Sequence, residues 1–203
     1  MARAGLRMVA IAISLAACAA APVAAQMMSE GYEFLEAVRE RNGTKVTNAL
    51  QQPGSVIVNA RDIASGETAL HIVTARRDAV WIRFLTQNGA NPNVRDKEGN
   101  SPLSIAVGLG FVEGAEDLIK AGARIDETNS TGETPLISAI LRRDTRMVEM
   151  LLENGANPDR TDNTGRSARE YAAMPGTDRR VTDAIAAADK EKGEAGQNYG
   201  PRL

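Results

Sequence analysis

The chain has 203 residues, of which 43% are hydrophobic and 25% are charged, a composition typical of one globular domain with short appendages. Its formal charge of −2 arises from interspersed acidic and basic residues, so it offers no basic field for nucleic-acid binding. A single His and a single Cys argue against a metal site, because zinc usually takes three or four such ligands.

Residues 1–25 have the order of a secretory signal peptide. Arg3 and Arg7 precede a predominantly apolar stretch at 8–21, and Pro22 with small residues follows. The apolar stretch is shorter than the roughly 18 residues that a transmembrane helix requires. Val-Ala-Ala at 23–25 places small side chains where signal peptidase cuts, which predicts cleavage before Gln26.

A second processing site stays open at residues 15–18. The sequence Leu-Ala-Ala-Cys resembles a bacterial lipobox and would make Cys18 the lipidated first residue of the mature protein. The conventional site is favoured because the apolar stretch continues beyond Cys18. We therefore expect a periplasmic or secreted protein, alternatively one lipid-anchored in the envelope, with no membrane insertion unless Cys18 is lipidated.

Three segments of equal length, 66–98, 99–131 and 132–164, align without a gap. Gly66, Gly99, Gly132 and Gly165 are each 33 residues apart, and so are the Gly-Ala pairs that begin at 89, 122 and 155. A fixed period of this length indicates a solenoid built from one supersecondary unit.

Each unit is predicted to contain two helices and a turn. The first helix begins after Thr68, Ser101 or Thr134, whose hydroxyl groups suit an N-cap, and ends near residues 75, 109 and 142. The second helix ends at the Gly-Ala pair, and in the first unit its apolar face is assigned to Val80, Trp81, Phe84 and Leu85. An Asp or Asn three residues before the Gly that opens the next unit predicts a protruding hairpin between units. Before Gly66 that position is occupied by Ile63, which makes the first hairpin doubtful.

These segments resemble ankyrin repeats, through GETALH, GNSPLS and GETPLI together with NGANPN, AGARID and NGANPD. The resemblance implies an all-α solenoid of stacked antiparallel helix pairs joined by β-hairpin turns. The alternative, a tetratricopeptide array with a period of 34, lacks both the Gly-Ala pair and the hairpin.

The ends of the array are predicted to be caps. Residues 26–65 hold two helical patterns, at 32–39 and 45–50, which suit a degenerate first repeat. Residues 165–188 form the C-terminal cap, where Arg169 replaces the core Leu of the other units. Residues 189–203 are rich in Gly and charge, and we expect a disordered tail there.

Catalysis is not expected from this sequence, and neither is a cofactor. His71 is the sole histidine, and its place in the repeat indicates hydrogen bonding at a helix end. The glycines follow the repeat and form no phosphate-binding loop. Trp81 is predicted to pack in the core, with an interface anchor as the alternative. An enzyme that uses Glu98 and Glu133 is kept as a minor hypothesis.

The resemblance implies a non-catalytic protein-binding module whose partner contacts the hairpin tips and the ends of the first helices, along a concave strip. The tip residues are Lys97, Glu98, Asn100, Ser130, Thr131, Glu133, Asn163, Thr164 and Arg166, and the helix-end residues are Ala75, Arg76, Leu109, Leu141, Arg142 and Met174. Leu109, Leu141 and Met174 would form an apolar stripe flanked by Arg76 and Arg142, as in an interface hot spot. The alternative is that they are ordinary scattered surface residues.

Overall fold

The structure, a computed structural model, describes the backbone of residues 22–53 and 55–197 and the side chains of 30–53 and 55–190. Within these residues the chain forms ten α-helices and one short 3₁₀ helix. The α-helices are α1 (Pro22–Arg39), α2 (Gly43–Leu50), α3 (Ala69–Ala75), α4 (Ala79–Gln87), α5 (Pro102–Gly108), α6 (Val112–Lys120), α7 (Pro135–Leu141), α8 (Thr145–Glu153), α9 (Ala168–Ala172) and α10 (Arg179–Gln197); the 3₁₀ helix is Ile57–Asn59. None of the described helices is both long and apolar enough to cross a bilayer.

The predicted signal peptide lies mostly outside the described residues. Residues 1–21, with Arg3, Arg7 and Cys18, are not described. Helix α1 begins at Pro22, so cleavage before Gln26 would shorten it by residues 22–25.

The helices pack as two parallel rows. The first helices of the pairs form one row, in which α1, α3, α5, α7 and α9 contact each other in order, and the second helices α4, α6, α8 and α10 form the other. Leu70, Leu103 and Leu136, which occupy the same place in successive units, are at most 1% exposed. Burial of each such leucine contributes about 1.5–3 kcal/mol, and the predicted solenoid of stacked helix pairs is confirmed.

The N-caps predicted at Ser101 and Thr134 are confirmed in the structure. The hydroxyl of Ser101 accepts a hydrogen bond from the Ser104 amide at 3.2 Å, and that of Thr134 accepts one from the Ile137 amide at 3.2 Å. Each bond satisfies one of the amides that a helix start leaves unpaired, so the repeat pattern fixes where α5 and α7 begin.

The tips between units are hydrogen-bonded turns. The Asp96 amide donates to the Asn100 carbonyl at 2.9 Å, and the Asp96 side chain accepts from the amides of Glu98 and Asn100. No named strand occurs in the described part of the chain, where the one isolated bridge joins Thr161 and Ser167. The tips are therefore turns and not β-hairpins with paired strands, because each tip is too short to form a ladder of backbone hydrogen bonds.

The first tip forms despite Ile63. The neighbouring Asp62 supplies the carboxylate, which accepts from the Ala64 amide at 2.8 Å and the Ser65 amide at 3.1 Å. The Gly66 amide donates to the Asp62 carbonyl at 2.8 Å, so the turn is one residue longer than its successors. The amide of Ser65 and then the Arg39 guanidinium lower the pKa of Asp62.

The buried face of α4 differs from the prediction. Ile82 and Leu85 are fully buried, whereas Val80 is 67% exposed, so its assignment to the apolar face was wrong. The buried stripe starts at Ala79 and advances by three residues, which carries Val80 outward. Trp81 is half-buried against the core, with its ring 5.8 Å from that of Phe84 in an edge-to-face arrangement.

The C-terminal cap is longer than the sequence predicted. Arg169 lies at the edge of the core and forms ion pairs of 2.8 Å with both Asp159 and Asp189. Helix α10 continues beyond residue 188 to Gln197, into the segment where we expected disorder. Lysine and glutamate make up four of the nine residues 189–197, and their helix propensity needs no apolar periodicity. Residues 198–203 lie outside the described part.

Candidate partner-binding surface

Two neighbouring grooves open along the row of first helices. The groove between α5 and α7 has a volume of about 540 Å³ and brings together Asn100, Leu109, Glu133, Leu141 and Arg142, all of them predicted site residues. The second groove has a volume of about 530 Å³ and lies between α7 and the segment that joins α9 to α10. We call the two together the first-helix groove.

The three residues of the predicted apolar stripe all line this groove. Leu141 lines both halves and is 49% exposed, while the half-buried Leu109 lines the first half and the half-buried Met174 the second. An exposed leucine between two cavities is costly to leave in water, so this surface is suited to an apolar group from outside.

Arg76 does not flank the stripe as predicted. Its side chain is only 15% exposed; its guanidinium donates to the Val38 carbonyl, pairs with Asp78 at 3.2 Å and lies 4.9 Å from the Trp81 ring centre. Burial lowers the pKa of Arg76. The Arg76 side chain therefore connects α1 to the helix pair α3 and α4. Sequence spacing could not indicate this contact, because Val38 is 38 residues away along the chain.

Arg142 lies beside the apolar residues of the groove, and Arg143 lies there as well. Both are exposed; Arg142 lines the first half of the groove and Arg143 the second. Neither guanidinium pairs with another described residue. Sequence reasoning missed Arg143, although its position repeats that of Arg41 and Arg77, and all three have φ of 57–58° in the turn between helices.

The predicted tip residues divide into two groups. Asn100 and Glu133 line the groove, whereas the other tip residues do not and form an outer row: Lys97, Glu98, Ser130, Thr131, Asn163, Thr164 and Arg166. Members of this row link successive tips, since the Lys97 ammonium donates to the Ile63 carbonyl and the Asn163 amide donates to the Thr131 carbonyl at 3.1 Å. Ala75 is exposed but lines neither half of the groove.

The carboxylate of Glu133 is held between its own repeat and the tip of the repeat before it. It accepts hydrogen bonds from the Ser138 hydroxyl at 2.9 Å and from the Asn129 amide at 3.1 Å. Glu98 is exposed on the outer row and accepts from the Asn100 amide at 3.4 Å. The two carboxylates therefore lie in different settings, one inside the groove and one outside it, and do not form a paired acid and base.

His71 is fully buried and serves the repeat interface. Its Nδ1 accepts from the Thr68 amide at 3.1 Å, so its proton is on Nε2, which donates to the Asn100 carbonyl at 3.1 Å. Burial lowers the pKa of this imidazole and keeps it neutral. The predicted hydrogen bonding at a helix end is present, and the described residues contain no cluster of metal-ligating side chains.

Comparisons with known proteins identify the repeat. A family model described as ankyrin repeats (3 copies) matches residues 34–129, and one described as ankyrin repeats (many copies) matches 118–172. The chain is 30% identical over 76 residues to oxysterol-binding protein homolog 1 of Saccharomyces cerevisiae and 41% identical over 51 residues to the nuclear factor NF-kappa-B p110 subunit of Drosophila melanogaster. These alignments cover 36% and 25% of this chain but only 6% and 5% of the two relatives.

Proposed function

Since this chain belongs to the ankyrin repeat family, we propose that it is an exported, non-catalytic module that binds another protein along its first-helix groove. Ankyrin repeats indicate a protein–protein interaction module. The observation that carries the choice of surface is the meeting of five predicted site residues in one groove, with Leu141 exposed at its centre.

The groove has the composition of an interface core. Leu109, Leu141 and Met174 supply apolar area, and Arg142 supplies a free guanidinium beside it. Apolar contacts and arginine at the centre of a patch usually account for most of the affinity of a protein interface. The stacked repeats hold these side chains on short helices with fixed caps, so binding would cost little ordering of the protein.

Site-specific photo-crosslinking tests this proposal. A photoreactive phenylalanine analogue is placed at Leu141, and as a matched control at Val80, which is exposed on α4 in the second row. The proposal expects one protein to crosslink in cells at position 141 and not at 80. Crosslinks of equal yield at both positions, or none at 141, would overturn it.

The location and the mature N-terminus form a separate part of the proposal. The basic, apolar and small-residue order of residues 1–25 supports export to the periplasm or the medium. The alternative is an envelope lipoprotein scaffold, supported by Leu-Ala-Ala-Cys at 15–18. Mass spectrometry distinguishes them, because a mature chain that starts at unmodified Gln26 excludes the anchor and a diacylglyceryl group on Cys18 establishes it.

A further inference from the structure

We propose that the partner segment seated in the first-helix groove is acidic as well as apolar: an extended peptide that carries leucine-like side chains about three residues apart, with Asp or Glu between or beside them. This inference rests on the proposed function and adds the chemistry of the ligand. It starts from the charges at the rim of the groove, where cations are free and anions are already engaged.

The free cations are on both sides of Leu141. Arg142 lines the first half of the groove and Arg143 the second, while Arg146 is exposed at the start of α8 and lines neither half. None of the three pairs with another residue in the described part of the chain. An unpaired guanidinium offers a two-pronged donor that fits a carboxylate.

Among the described residues, none of the carboxylates nearby forms an ion pair with these arginines, and each is bonded to another group. Glu133 accepts from Ser138 and Asn129, and the Asp144 carboxylate caps α8 by accepting from the Met147 amide at 3.0 Å. Asp178 pairs with Arg180 at 2.7 Å. Among the side chains that line the groove, the arginines Arg142, Arg143 and Arg180 outnumber the carboxylates Glu133 and Asp178 by one, so the groove is weakly positive on a chain whose formal charge is −2. Such a local reversal of sign favours an acidic ligand.

The spacing of the apolar sites fits an extended peptide. Helices of neighbouring units pack about 8–10 Å apart, and an extended chain advances about 3.3 Å per residue. Side chains about three residues apart on the ligand would therefore reach the cavities on either side of Leu141. Acidic side chains between or beside them would reach Arg142 and Arg143.

A nucleic acid is the weaker candidate for this surface. Its backbone needs a row of many cations, whereas the groove offers a few arginines around an apolar ridge. Phosphates would also leave the apolar ridge at Leu141 uncovered. An oligonucleotide is therefore included in the test as a competing ligand.

The test selects ligands without assuming a sequence. A displayed library of random peptides of about 12 residues, long enough to cross both cavities, is selected on the purified protein. We expect enriched peptides that combine acidic with large apolar residues. Their affinity, measured by fluorescence anisotropy of one labelled peptide, should fall about tenfold in Arg142→Gln/Arg143→Gln and should weaken with added salt.

The matched control is Arg41→Gln/Arg160→Gln. It removes the same charge from exposed residues outside the groove, and Arg41 shares the positive φ of Arg143. The control should bind the peptide as the unaltered protein does. Equal losses in both variants, or displacement of the peptide by a thymidine oligonucleotide, would overturn the acidic-peptide inference.

The same selection separates this inference from the proposed function. Peptides that lose binding in Leu141→Glu but carry no acidic residues would leave the groove as the binding surface and refute the acidic ligand. A selection that yields no peptide sensitive to Leu141→Glu would refute the groove itself, and with it both proposals.

Discussion

Thr74 carries a hydroxyl group that the fold does not use. The residue is fully buried in α3, and its Oγ1 has no hydrogen-bond partner in the described part of the chain. The corresponding residues in the next two units are Val107 and Ile140, which are 1% and 5% exposed. The later repeats therefore place an apolar group where the first places a hydroxyl.

We predict that Thr74→Val raises the free energy of unfolding by about 1–2 kcal/mol. A buried hydroxyl without a partner costs about 1–3 kcal/mol, and the new methyl has nearly the same size, so it creates neither a cavity nor a clash. Helix propensity hardly changes, because both residues are β-branched. Urea unfolding followed by circular dichroism should show a midpoint higher by roughly 0.5 M with an unchanged m-value.

Thr68→Val is the matched control with the opposite sign. The Thr68 hydroxyl lies 2.8 Å from His71 Nδ1 at the N-cap of α3, and we expect its loss to cost about 1–2 kcal/mol. If Thr74→Val lowered the midpoint or left it unchanged while Thr68→Val lowered it, the reasoning about the orphaned hydroxyl would be refuted.

Three further predictions concern other parts of the array. His71→Ser should remove a pH dependence of the free energy of unfolding. The pKa of His71 in the folded protein is lowered below 6.5, so its contribution to stability is complete above that pH and falls as the pH decreases. The urea midpoint of the unaltered protein should therefore lie closer to that of the variant at about pH 5.5 than at about pH 7.5. Gly132→Ala should lower the free energy of unfolding, measured in urea, by about 2–3 kcal/mol, and Gly165→Ala by about 1 kcal/mol. Both glycines have positive φ, but only at position 132 would the new methyl meet the Asn163 side chain, at 2.2 Å. Equal costs would contradict this. Arg169→Ala should destabilise by about 0.5–1 kcal/mol, less in high salt, with faster hydrogen exchange in α10, and unchanged exchange there would show that its two ion pairs do not hold the cap.

The features that recur in all three units were predicted correctly from the sequence. Leu103 and Leu136 occupy equivalent positions and are buried as expected, because every unit must fill the same space between neighbours. Ser101 and Thr134 cap their helices for the same reason. Such features depend on local spacing, and a period of 33 residues makes them visible.

Features specific to one repeat were harder to predict. Val80 was misplaced because Trp81 and Phe84 suggested a broader apolar face than α4 buries. Arg76 was taken for a surface cation, although its long side chain reaches across to α1. Contacts between different units depend on the geometry of stacking, which residue spacing within one unit does not specify.

The affinity of the crosslinked partner for two matched variants tests the central claim most directly. Leu141→Glu places a charge on the exposed leucine of the first-helix groove, and Val80→Glu places the same charge on an exposed residue of the second row. Measured by titration calorimetry, the first should weaken binding by about 30-fold or more and the second by less than about twofold. Equal effects, or an unchanged affinity in Leu141→Glu, would contradict binding along this groove.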